Sequence, residues 1–118
     1  MSEIDQKALD NVRALQRAGT PDLLGRIVDL FVAQTPEAIA TIKTSVKTED
    51  LGSVRVSAHS VKSSAAYVGA QNFSNRLANI EKAAHGGDLA QCQVLVADID
   101  QHAQSVIDEL LALQAKVA

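Results

Sequence analysis

From Leu51 onward, apolar residues recur at Leu51, Val54, Ala58, Val61, Ala65 and Val68, at spacings of 3, 4, 3, 4 and 3. This is the stripe of an amphipathic helix in a bundle. It predicts a helix over 50–68, capped by Thr48 or Asp50 and closed by Gly69 in a left-handed conformation. Phe73, Leu77, Ile80 and Ala84 predict a second helix over 71–85, stopped by Gly86-Gly87. Asp88 then caps a last helix, whose Leu95, Ile99, Val106, Leu110 and Leu113 carry one stripe to near the chain end.

Upstream, Thr20-Pro21-Asp22 combines an N-cap, a proline at the first helical position and an acid favoured by the helix dipole. The helix it opens runs through Leu24, Ile27, Val28, Phe31, Ile39, Ile42 and Val46, with a kink or break expected near 33–35 because Pro36 removes a backbone donor. Ahead of it, Ser2 with Asp5 and the apolar Ile4, Ala8, Val12 and Leu15 predict a short helix over 3–18, ending at Gly19. No segment alternates as a strand does. The expected architecture is all-α: an antiparallel, up-down-up-down four-helix bundle with an additional short N-terminal helix, one domain over 1–118.

Composition agrees with tight helix packing. Hydrophobic residues make up 47% of the 118 and aromatic ones only 3%, so the core is aliphatic. A net charge of −3 argues against a nucleic-acid partner, which calls for a basic field. No apolar run reaches the roughly 18 residues of a membrane span, and the acidic start lacks the layout of a signal peptide. The one cysteine, Cys92, excludes an internal disulfide and suits a reducing compartment. A soluble, cytoplasmic chain is expected, and a monomer, since a complete core needs no second copy.

His59 breaks the pattern. At about 100° per residue it falls roughly 130° from the centre of its helix's apolar stripe and should face water. Small residues, Ser63 and Ala66, follow it on the same face, and the cations Arg55 and Lys62 stand at minus four and plus three. An exposed imidazole with cleared surroundings and two flanking cations suits an anionic group.

The string His59-Ser60-Val61-Lys62-Ser63-Ser64-Ala65-Ala66-Tyr67-Val68-Gly69-Ala70 resembles the phosphoacceptor motif of histidine-containing phosphotransfer (HPt) domains of two-component signalling. Leu30-Phe31 with Thr35-Pro36 before it, and Leu77 to Glu81 with Gly87-Asp88-Leu89 after it, extend the resemblance to about 20–115. Ser63 departs from the glycine of many members but is still small. The resemblance implies a phosphocarrier without kinase activity of its own, which exchanges a phosphoryl group with receiver domains of hybrid histidine kinases and response regulators. His59 would be the nucleophile, and a free imidazole, titrating near about 6.5, is substantially neutral at pH 7. Lys62 would offset phosphate charge, with Arg55 adding long-range attraction. Ser63 and Ala66 would leave room for the receiver. Val56 and parts of the first two helices would form the docking surface. Gly69, on the same partner-facing side of the motif, would allow close helix approach or simply end its helix. Glu81 would orient the imidazole through its other nitrogen, the alternative being a surface glutamate paired with Arg76, Lys82 or water. No cofactor is implied, the Mg2+ belonging to the receiver.

The competing reading is a helical adaptor in which His59 stays unmodified. His85, in a last helical turn, suits the helix dipole, His102 suits the bundle edge, and Cys92 suits the core. A zinc site from these three matches no standard ligand spacing.

Overall fold

The computed structural model describes Ile4 and residues 23–117, in which five helices follow one another: α1 (Leu23–Lys47), α2 (Leu51–Tyr67), α3 (Gln71–His85), α4 (Leu89–Leu95) and α5 (Ile99–Val117). Connections this short make successive long helices antiparallel neighbours. The most extensive packing is α2 on α3; α1 lies against α2 and α5, and α4 covers α3. The chain is thus an all-helical bundle. Ile4 is buried, bridges the backbone of Ala70 and donates its N–H to Glu109 Oε2 at 2.8 Å. The rest of the helix expected over 3–18, and the cap expected at 20–22, lie outside the described residues.

The stripes read from the sequence become the core. Val54, Ala58, Val61, Ala65 and Val68 of the α2 stripe are buried, and Phe73, Leu77, Ile80 and Ala84 of α3 meet them. Phe73 stands edge-on to Phe31 of α1, with ring centroids 6.5 Å apart, and to the His102 ring of α5 at 5.0 Å. Offset and edge-on pairs of this kind add to simple burial.

Two expectations need amending, for different reasons. Of the kink or break expected near 33–35, the break does not occur: α1 runs through Pro36. Pro36 is exposed, while Val28, Phe31, Thr35, Ile39, Ile42 and Val46 keep one buried face on both sides of it. Packing of that face outweighs the roughly 3 kcal/mol that an interior proline costs. Conversely, the single last helix is two, because the chain turns at Val96–Asp98. Arg76 of α3 caps this turn, donating Nε to the Leu95 carbonyl at 2.9 Å and an amino group to Asp98 Oδ1 at 2.5 Å. That hydrogen bond holds the Asp98 carboxyl below the usual carboxylate range.

Three helix ends close with the same pair of hydrogen bonds. Gly69 N–H reaches the Ala66 carbonyl and Ala70 N–H the Ala65 carbonyl; Gly87 and Asp88 repeat this on Ala84 and Ala83, and Glu49 and Asp50 on Val46 and Ser45. The middle residue of each closure is left-handed, with φ of 84° at Gly69, 72° at Gly87 and 60° at Glu49. At Gly87 an added Cβ would meet nothing within 4 Å, so only the backbone is strained by a substitution. Gly87→Ala should therefore lower stability by about 1 kcal/mol, read as a lower urea midpoint at unchanged slope.

Candidate functional site

α2 starts cleanly because Asp50 accepts the Ser53 N–H at 3.2 Å, and its stripe then fixes which residues face out. His59 emerges on the exposed face, with 62% of its side chain accessible. Facing it, α3 is registered against α2 by Phe73 and Leu77 in the core and by buried Ser74, whose hydroxyl donates to the Lys62 carbonyl at 3.0 Å. Two turns beyond Ser74, α3 presents Glu81.

The Glu81 carboxylate is shared. Its Oε2 lies 2.7 Å from His59 Nδ1, and its Oε1 accepts from Lys62 Nζ at 2.6 Å. The Lys62 hydrogen bond chiefly, with that of His59 behind it, holds the Glu81 carboxyl below its ordinary value of 4.5, against a raising effect of burial. The sign follows: a lowered carboxyl stays ionised throughout the range above 4.5, and its pairing is lost only as pH falls through the lowered value. An ionised carboxylate only accepts, so Nδ1 carries the ring proton and the lone pair of the neutral ring sits on Nε2, on the side away from Glu81.

The residues expected at the site distribute unevenly. His59, Lys62 and Glu81 meet in one hydrogen-bonded cluster. Arg55, Val56, Ser63 and Ala66 are exposed on α2, Val56 with 64% of its surface open. Gly69 is not partner-facing: it is buried and left-handed, because it closes α2 and lets the chain enter α3. Glu81 is not paired with Arg76, which is committed to the α4–α5 turn.

Two grooves flank the cluster. An apolar one of about 310 Å³ lies between α1 and α2, lined by Ile27, Leu30, Ser63 and Tyr67 among others. Leu30 and Tyr67 are more than half exposed there. A second, of about 270 Å³ and bordered mostly by ionisable residues, lies between α2 and α3, lined by Arg55, Lys62, Ala78, Glu81, Lys82 and His85. Sequence reasoning weighed His85 for the helix dipole or a zinc site and Lys82 only as a surface partner for Glu81, and placed neither beside Arg55. The signal available was the spacing of Ala78, Glu81, Lys82 and His85, in which Lys82 and His85 each follow a groove residue, Ala78 and Glu81, by four positions and so return to the α2 side of α3.

The residues weighed for zinc stay apart in role. Cys92 is buried in α4, where burial pushes its thiol upward. His102 faces Phe73 and Arg76. Among the described residues no three His, Cys, Asp or Glu side chains gather as a metal site. Nor is any described helix long and apolar enough to cross a membrane.

Comparison with known proteins bears on this arrangement. A family model described as the Hpt domain matches residues 26–115. Histidine-containing phosphotransfer protein B of Pseudomonas aeruginosa PAO1 has a similar structure, with a TM-score of 0.83 at 18% identity, covering 97% of this chain and 96% of its own. The histidine-containing phosphotransfer protein ZmHP2 from maize gives 0.79 at 20% identity, covering 98% and 87%. At these identities the likeness is one of fold. A comparison with curated protein sequences finds no match.

Proposed function

The chain belongs to the Hpt domain family, whose members serve histidine phosphotransfer in phosphorelays, and from that premise we propose that His59 is its phosphoacceptor. The observation that carries the reading is the 2.7 Å contact between Nδ1 of the exposed His59 side chain and Glu81, which leaves Nε2 as the nitrogen that carries the lone pair of the neutral ring.

The step balances as follows. The Nε2 lone pair attacks the phosphorus of an aspartyl phosphate on a receiver domain. The bond from phosphorus to the aspartate oxygen breaks, and the carboxylate leaves with its electrons. The new N–P bond makes the ring cationic, and Glu81, already bonded at Nδ1, stabilises that charge. In the reverse direction a carboxylate oxygen of a second receiver attacks phosphorus and the ring leaves neutral. Such transfers depend on positioning and charge rather than on covalent help from the surroundings. Lys62 supplies the charge: once the phosphoryl group adds negative charge beside it, its ammonium is shared between that group and Glu81. The protein acts as a carrier between receivers, any metal ion being the receiver's.

Glu81 is a positioning residue in this scheme, and two variants separate its roles. Glu81→Ala should slow transfer from a phosphorylated receiver by about tenfold or more, since ring orientation and tautomer are both released. Glu81→Gln keeps an acceptor for Nδ1–H but no charge for Lys62, and should retain more of the rate. Nitrogen NMR of the His59 ring checks the cause: the Nδ1–H form should dominate in the parent and in Glu81→Gln and give way in Glu81→Ala. An unchanged tautomer and rate in Glu81→Ala would remove the positioning role.

A further inference from the structure

The groove between α2 and α3 is charged in a way the phosphoacceptor chemistry does not require. Of its residues, Lys62 is already paired with Glu81 at 2.6 Å. Arg55 and Lys82 have no ion-pair partner among the described residues, unlike Lys43, which pairs with Asp100, and Arg76, which pairs with Asp98. His85 adds ring nitrogens and, when protonated, a further positive charge. One carboxylate thus faces three permanent cations, on a chain whose net charge is −3.

We propose that this groove is a docking site for an acidic segment, rich in Asp and Glu, on the receiver domain that meets His59. The identity of the partner rests on the phosphotransfer reading. The acidic character rests on the groove. Any protein surface large enough to cover His59 also covers what lies on both sides of it. On the α1 side the complement is apolar, facing Leu30 and Tyr67. On the α3 side it must bring carboxylates, or leave Arg55 and Lys82 desolvated without partners. Against a net negative chain, an acidic partner is repelled elsewhere and admitted here, so the groove orients the encounter and selects among receivers by the charge of one edge. Because Lys62 and Glu81 belong to both groove and site, a carboxylate seated there also competes with Glu81 for Lys62 and frees the His59 contact to adjust.

Hexaglutamate is a direct probe, because its binding needs no phosphoryl group. Titrated into the whole protein at low salt, it should shift the amide signals of Ala78, Lys82 and His85. Its affinity should fall by about tenfold or more in Arg55→Glu/Lys82→Glu, and steeply with added salt. The same reversal should slow transfer from a phosphorylated receiver at subsaturating concentration and flatten its salt dependence. His59→Gln should bind the peptide as the parent does. Absent shifts, shifts that survive the charge reversal, or shifts given equally by inorganic phosphate would overturn the proposal. Peptide binding in a protein that accepts no phosphoryl group would support the groove and count against the phosphoacceptor reading alone.

Discussion

His59→Gln protein, incubated with a labelled, phosphorylated receiver domain, is expected to take up label at background level, a loss of more than about a thousandfold. Glutamine matches the size of the ring and can still meet Glu81, but its amide nitrogen has no lone pair free to attack phosphorus. The parent should acquire label that is lost in acid, as a phosphorus–nitrogen bond is. The fold should be indifferent to the change. With 62% of the side chain accessible and no place in the core, the substitution should alter unfolding free energy by no more than about 0.5 kcal/mol. Label on both proteins would move the acceptor to another histidine. His85 would then come first, since it is exposed, whereas the His102 ring is engaged by Phe73 and Arg76. Label on neither, across several receivers, would favour an unmodified adaptor.

The complementary result is expected in the core. Phe73→Ala should cost about 3–5 kcal/mol in urea unfolding, because a fully buried ring is removed and its neighbours close the gap only in part. Phe73 of α3 meets α1 at Phe31 and α5 at His102. Its loss therefore loosens three helices together. Against the 5–15 kcal/mol that typically holds a domain, such a cost is severe, and the midpoint should drop accordingly. Phe73→Leu should cost clearly less, since most of the volume is kept. Equal costs for the two variants would mean that the site is not the packed junction described.

Both results turn on how much a local pattern can say. The α2 stripe was legible because burial in a bundle repeats with the helical period, and the same period that buries Val54, Ala58, Val61 and Ala65 turns His59 outward. The α4–α5 turn was illegible for the same reason. Cys92, Val96, Ile99, Ala103 and Val106 keep helical spacing straight through it and are all buried, so nothing in the stripe marks a break. What breaks the helix is Arg76, a residue of α3 that supplies partners for the freed Leu95 carbonyl and for Asp98. Pro36 shows the converse: a strong local breaker is overridden when both flanks share one buried face.

The candidate site divides along the same line. Periodicity decided that His59 is exposed and that Lys62 stands one turn away, because both are matters of angle along one helix. The motif around His59 was enough to indicate the family. Only the packing of α3 on α2 decided that one Glu81 carboxylate holds both His59 Nδ1 and Lys62, and that Lys82 and His85 arrive beside Arg55. Those contacts join residues about twenty positions or more apart, through a helix register that no single stripe contains. The physical reason is that a helix sets direction locally, while distance between helices is set by how two cores interdigitate.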